Sequence, residues 1–185
     1  MPDKKTFLQQ FWSNKKMIGS MRPSSRFLTE KMLENVNFNT SKVIVELGPG
    51  TGVFTKKIVE KMAPDAKLLV FELNDNFYNF LKSTIIDDRV ILIHDSAEKV
   101  QEYLTMYNLH AADEIISSLP FANFPDELRE NIISKCYECI GEKGKFIQFQ
   151  YSTQLKNYLK MLYKEVNITF TPLNFPPAFV YTCKK

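Results

Sequence analysis

Little in this sequence could staple the chain, anchor it or carry it through a bilayer. Its three cysteines, Cys136, Cys139 and Cys183, are an odd number with two close together, so no disulfide framework is expected and reduced thiols suit a cytosolic setting. Cys136 and Cys139 form a C-x-x-C, but a tetrahedral metal site needs two further ligands. Only Cys183, His94 and His110 are on offer, at scattered positions, so no metal is expected. No apolar run approaches the roughly 18 residues of a membrane span, and MPDKKTFLQQFWSNKK lacks the continuous apolar core of a secretory signal. The expected location is the cytoplasm. No internal repeat or low-complexity tract appears. Glycine is also sparse, six in 185 residues, yet three of the six crowd together at Gly48, Gly50 and Gly52.

What is present is ordinary for a globular chain: 44% hydrophobic and 24% charged residues, long enough to bury a core without cross-links. The net charge of +3 is too small to imply nucleic-acid binding, but it is unevenly spread. Residues 1–31 hold seven basic side chains against two acidic ones, leaving 17 basic against 19 acidic in the remainder. Within that basic end, Phe7, Leu8, Phe11 and Trp12 recur at helical spacing and are bordered by Lys4, Lys5, Lys15 and Lys16. Such a face can lie in an anionic membrane surface, or it can pack on the domain with its lysines solvated. RPSSRFLTEKML then reads as a helix capped by Ser24 or Ser25, burying Phe27, Leu28, Met32 and Leu33. Residues 1–40 are accordingly expected to form a membrane-contact and lid segment, and residues 41–185 a single globular domain.

From Lys42 onward, β-branched apolar runs alternate with amphipathic segments, which predicts repeated βα units around a mostly parallel sheet with helices on both faces, an α/β fold. The last forty residues change rhythm. EVNITFTPL and PPAFVYTCKK have no helix between them and should pair as an antiparallel hairpin at one sheet edge. Five parallel strands followed by such a pair resemble the seven-stranded, Rossmann-like class I methyltransferases.

Glu46, Gly48, Gly50 and Gly52 stand as E-x-G-x-G-x-G between a strand and a helix. Glycine permits the tight turn and close backbone approach, and free N–H groups at the helix start can face an anion. A dinucleotide loop is spaced G-x-G-x-x-G, and a carboxylate beside its pyrophosphate would be repulsive. Beside the amino group of a methionine moiety it would be favourable, and the segment resembles motif I of those methyltransferases. The resemblance implies S-adenosylmethionine held by Glu46, Gly48, Pro49, Gly50, Thr51 and Gly52. It adds Glu72 and Leu73 at the second strand end for the ribose, and Asp95, Ser96 and Ala97 at the third for the adenine, with Ser117 nearby.

The loop after the fourth strand, IISSLPFANFP, resembles the N-L-P-[FY] acceptor motif of the rRNA adenine dimethyltransferases, with Ser118-Leu119-Pro120-Phe121 in its place. There an Asn carbonyl takes the adenine amine; a serine hydroxyl is a shorter acceptor. That family also implies a helical C-terminal RNA domain, and with the sequence ending after its seventh strand nucleic acid is not the expected partner. A closer resemblance, carried by GSMRPSSRFL, ELGPGTGVFT, FELNDNFYNFL, SSLPFANFP, FIQFQYS and NFPPAFVYT, is to the bacterial phospholipid N-methyltransferases. It implies stepwise methylation of phosphatidylethanolamine by an enzyme peripheral to the inner membrane face. Ser118 stands where that family commonly has glycine. Ser118 and Tyr151 are the expected amine-positioning residues, and Leu119, Pro120, Phe121 and Arg22 complete the expected substrate contacts. A nucleobase methyltransferase and a catalytically silent cofactor binder are the alternatives.

Overall fold

A computed structural model describes residues 25–185. Helix α1 spans Arg26–Leu33, followed by β1 (Val43–Leu47), α2 (Val53–Lys61), β2 (Lys67–Phe71), α3 (Asp75–Thr84) and β3 (Val90–Ile93). A 3₁₀ turn, Ala97–Lys99, leads into α4 (Val100–Met106), then β4 (Ala112–Ser117), a second 3₁₀ turn (Phe121–Asn123) and α5 (Asp126–Cys139). Strand β5 (Ile140–Gln150), α6 (Lys156–Leu162), β6 (Glu165–Thr171) and β7 (Ala178–Lys184) complete the chain.

All seven strands join one sheet in the order β3-β2-β1-β4-β5-β7-β6. The first five are parallel, while β7 runs antiparallel to both β5 and β6, so the expected C-terminal hairpin is present. Strand order reverses at β1, which pairs with β2 on one side and β4 on the other. The loops leaving the carboxyl ends of strands on either side of such a reversal diverge and leave a crevice, the usual ligand position in an open α/β sheet.

Successive residues point to opposite faces, so each central strand feeds two cores. On β4, Ile115 packs with Leu47, Phe71, Leu119, Phe121, Leu128 and Phe146, under α4 and α5. Ile116 faces the other way and packs with Leu28, Met32, Phe54, Ile58 and Ile147, under α1 and α2. Near-continuous apolar strands follow from this two-sided burial.

Ser25 caps α1 as expected, its hydroxyl accepting from the Leu28 N–H at 3.2 Å and donating to Asn174 Oδ1 at 2.7 Å. This ties the helix start to the β6–β7 turn. Leu28, Met32 and Leu33 are buried, but Phe27 is 51% exposed, contrary to expectation. The three buried side chains recur at i, i+4 and i+5. That apolar stripe is narrow, and Phe27 falls on its outer margin. Arg89, just before β3, donates to the carbonyls of Val59, Met62 and Ala63 and to both oxygens of Asp87. One guanidinium thereby closes the C-terminal end of α2.

Candidate active site

Between β1 and α2 the backbone turns through three glycines at positive φ: Gly48 (71°), Gly50 (56°) and Gly52 (76°). The three do different work. A Cβ on Gly48 would lie 2.8 Å from Leu119 Cδ2, and one on Gly52 would lie 2.6 Å from Leu81 Cδ2, so a side chain at either would have to displace a leucine methyl. At Gly50 a Cβ would meet nothing within 4 Å. The middle of the loop borders open space, which is where a ligand can approach backbone.

Two buried carboxylates stand behind this loop. Glu72, at the end of β2, accepts from Gly50 N–H at 3.1 Å through one oxygen and from Asn74 N–H at 2.8 Å through the other, which fastens the loop to the second strand. Burial pushes it up to about 7 against the pull of those backbone donors. Glu46 is fully buried, and although Thr55 stands close enough to favour its charged form, no hydrogen bond of good geometry reaches either oxygen among the described residues. Burial pushes it up to about 8, with the neighbouring Thr55 opposing and the Glu72 charge adding. A cationic group would be a favourable partner for either carboxylate. Asp95 differs. Burial works to raise it, but hydrogen bonds from Lys99 Nζ (2.8 Å), Ser96 N–H (2.7 Å) and Tyr103 hydroxyl (3.1 Å) outweigh burial and hold it below the ordinary range.

A cleft opens where these segments converge. Of the residues expected from sequence, Gly48, Glu72, Leu73, Asp95, Ser96, Ala97 and Leu119 line it. Phe71, Phe124 and Ile132 line it as well. Phe71 and Ile132 carry no motif; each reaches the cleft through the packing of β2 or α5. The chemistry suits S-adenosylmethionine: carboxylates at two successive strand ends for ribose and adenine, apolar walls from Leu73, Ala97, Phe124 and Ile132 for a flat base, and an unpartnered buried carboxyl under the glycine loop for an ammonium. Pro49, Thr51 and Gly52 shape the loop without lining the cleft.

The acceptor loop begins at Ser117, whose hydroxyl accepts from Leu119 N–H at 3.3 Å. Ser118 N–H donates to Leu47 carbonyl at 2.9 Å, extending the β1–β4 ladder by one residue, and its hydroxyl is buried with no partner among the described residues. Pro120 sits at φ −79°, ψ 67°, and Phe121 N–H closes back on Leu119 carbonyl at 2.9 Å, an inverse γ-turn. The Pro120 carbonyl accepts from Asn123 N–H at 2.9 Å, so it caps the following 3₁₀ turn. Phe121 is fully buried and meets Phe124 edge-on at 5.8 Å, so Phe124 is the ring that faces the cleft. Tyr151 is 53% exposed, packs edge-on against Phe149 and does not line the cleft. Arg22, Lys4, Lys5, Phe7, Leu8, Phe11, Trp12, Lys15 and Lys16 lie outside the described residues.

A sequence profile of the ribosomal RNA adenine dimethylase family matches residues 4–171. The chain belongs to this family. It is an S-adenosylmethionine-dependent N-methyltransferase. Among relatives, the chain is 28% identical to an ornithine lipid N-methyltransferase of Singulisphaera acidiphila, across 100% of this chain and 97% of that protein. It is 27% identical to ribosomal RNA small subunit methyltransferase A of Mycoplasmopsis pulmonis, across 98% of this chain but 61% of that protein. These rRNA relatives give no support to leaving nucleic acid out as a partner. Precorrin-6y C5,15-methyltransferase of Geobacter metallireducens superposes with a TM-score of 0.72 at 14% identity, across 90% of this chain and 92% of that one, a likeness that speaks for the fold alone. Among the described residues no helix is long and apolar enough to cross a membrane, and no group of His, Cys, Asp and Glu could hold a metal ion.

Proposed function

We propose that this methyltransferase acts on the primary amine of a membrane aminolipid, with phosphatidylethanolamine the acceptor the sequence resemblance implies. The observation that carries the reading is Ser118: a buried hydroxyl without a partner stands where base-modifying members of the family place an asparagine amide. A flat aromatic amine needs the amide's longer reach and planar geometry, whereas one N–H of a small aliphatic amine suits a single hydroxyl oxygen. Similarity to a lipid N-methyltransferase along nearly the whole of both chains supports the same reading.

The cofactor supplies a methyl group on a sulfonium, already activated for in-line transfer. What remains for the chain is alignment, exclusion of water and acceptance of a proton, since an ammonium has no lone pair. Ser118 Oγ accepts an amine N–H and turns the nitrogen lone pair towards the cleft. Phe124 walls the cleft on the acceptor side and faces the positive charge that grows as methyls are added. Tyr151, expected from the sequence to help position the amine, stands outside the cleft, so the proton passes to solvent without it. The lysine-bordered face of residues 4–16 and Arg22 contact the anionic surface and lipid phosphate in this reading, each near-surface lysine contributing on the order of 1 kcal/mol.

The test incubates the protein with methyl-labelled S-adenosylmethionine and, in parallel, vesicles of phosphatidylethanolamine, vesicles containing ornithine lipid, and small-subunit rRNA. Label in a lipid amine is expected, and the two vesicle arms separate the two lipids. Label confined to rRNA would refute the proposal in favour of the second reading, adenine methylation, which the family match itself favours. Ser118→Ala should lower kcat/KM on the accepted lipid about tenfold, the loss of one hydrogen bond to the reacting amine.

A further inference from the structure

Strand β5 ends in FIQFQ, and its two glutamines have no part in the cofactor site. Gln148 is fully buried and Gln150 is 4% exposed, on the face of the sheet that otherwise packs Phe146, Leu119 and Ile115. Being two residues apart, they project to the same side. Both side-chain amides converge on one atom: Gln148 Nε2 and Gln150 Nε2 each donate to the Leu119 carbonyl at 3.1 Å. The same oxygen already accepts from Phe121 N–H at 2.9 Å. Gln148 uses its second amide hydrogen on the Phe149 carbonyl, which fixes the orientation of its side chain and leaves Oε1 buried without a partner among the described residues.

An interior position that only had to be filled would take Leu or Met at lower cost, because a buried amide loses roughly 1–3 kcal/mol wherever it is not hydrogen-bonded. Two such amides spent on a single turn carbonyl point to a need to hold that turn. The turn is the inverse γ-turn on Pro120. Its Leu119 side chain bears on Gly48, close enough that a Cβ there would sit 2.8 Å from Leu119 Cδ2. On its other flank Ser118 N–H is tied to β1. The Leu119 peptide is therefore the point where glycine loop, β1 and β5 meet.

We propose that Gln148 and Gln150 are positioning residues of methyl transfer, a two-pronged clamp on the Leu119 carbonyl that sets the Ser118 hydroxyl and the Phe124 ring relative to the cofactor cleft. The clamp rests on reading this loop as the acceptor wall, and is indifferent to which amine the wall receives. The Leu119 carbonyl, saturated by three donors, is itself withdrawn from substrate.

The experiment uses the full chain loaded with S-adenosylmethionine. Gln148→Met and Gln150→Met keep the volume and remove the donors. Amide hydrogen exchange across residues 119–124 should quicken about tenfold or more in each, while exchange across Glu72–Asn74 stays at the wild-type rate. On phosphatidylethanolamine vesicles kcat should fall about tenfold, with KM and the calorimetric cofactor Kd within about threefold of wild type. Gln150→Glu adds a readout that packing alone would not move. Its carboxyl can donate only when protonated, so its kcat relative to wild type should rise as pH falls. Wild-type exchange in residues 119–124 of both methionine variants would overturn the clamp, as would a cofactor Kd that weakens in step with kcat. Absence of turnover by the wild type on lipid sinks the aminolipid reading alone, since the exchange measurement needs no acceptor.

Discussion

Glu46→Gln should strengthen the ligand-free fold at alkaline pH and weaken its grip on the cofactor, two effects of opposite sign from one atom change. Burial raises the Glu46 carboxyl from 4.5 to about 8 in the folded chain. Below the lower value the group is neutral in folded and unfolded states alike, and its contribution to stability is fully present. As pH rises the unfolded chain ionises first, and folding then requires that a proton be retained, so stability falls by about 1.4 kcal/mol per pH unit until the folded value is passed. The accumulated loss is roughly 4–5 kcal/mol, an upper figure because water and neighbouring residues relax around a buried charge. Glutamine never ionises. In urea titrations wild type and variant should therefore converge near pH 5 and separate by several kcal/mol at pH 9, the variant being the more stable; the Glu72 slope, present in both, cancels to first order. The cofactor effect follows from the same equilibrium. At pH 7 a group titrating near 8 is about nine-tenths protonated, and pairing with the ammonium of S-adenosylmethionine would expel most of that proton. Calorimetry in two buffers of different ionisation heat should report release of nearly one proton at pH 7 and almost none at pH 9. The variant should release none from this position and bind about ten- to a hundredfold more weakly. Parallel stability profiles for the two proteins, or no proton release by the wild type at pH 7, would refute the reasoning.

The glycines should separate by mechanism. Gly50→Ala is expected to cost about 1 kcal/mol, from a left-handed backbone alone. Gly52→Ala should cost more, because its Cβ would also meet Leu81 at 2.6 Å, and Leu81→Ala in the same chain should recover part of the difference by denaturant unfolding. Ser25→Ala removes the α1 cap and the link to Asn174 and should lower stability by about 1–2 kcal/mol, read as a fall in urea midpoint with an unchanged slope. Deleting residues 1–18 should abolish sedimentation with anionic vesicles while sparing cofactor affinity; undiminished sedimentation would contradict the proposed membrane contact.

The sheet, the glycine turn and the strand-end carboxylates that border the cleft were legible in the sequence because all are written locally. Near-continuous β-branched apolar runs mark strands, and an acidic residue at each of three strand ends needs no knowledge of what lies across the fold. Long-range properties were not legible. Phe71 and Ile132 reach the cleft only because β2 and α5 pack where they do. Phe27 reads as apolar and helical, but which margin of α1 faces solvent depends on how the helix sits against the sheet. Of the two phenylalanines three apart in one loop, Phe121, expected at the substrate, goes wholly into the core, while Phe124 turns to the cleft. The glutamine pair acts across 29 and 31 residues of sequence, a distance at which no periodicity carries information.

Strand order also constrains how the molecule comes into being. β7 pairs with β5 on one side and β6 on the other, so it enters the sheet between two strands made before it. During synthesis β5 must wait with its outer edge unpaired while α6 and β6 are translated, and β6 has no neighbour to join until residue 178 and its successors emerge. An uncovered edge of that kind is a template for wrong pairing with another chain. The strand that waits is the one bearing Gln148 and Gln150, so a nascent chain can assemble its cofactor loops well before its acceptor wall has a finished support. Newly made enzyme should thus acquire the ability to hold its methyl donor earlier than the ability to use it.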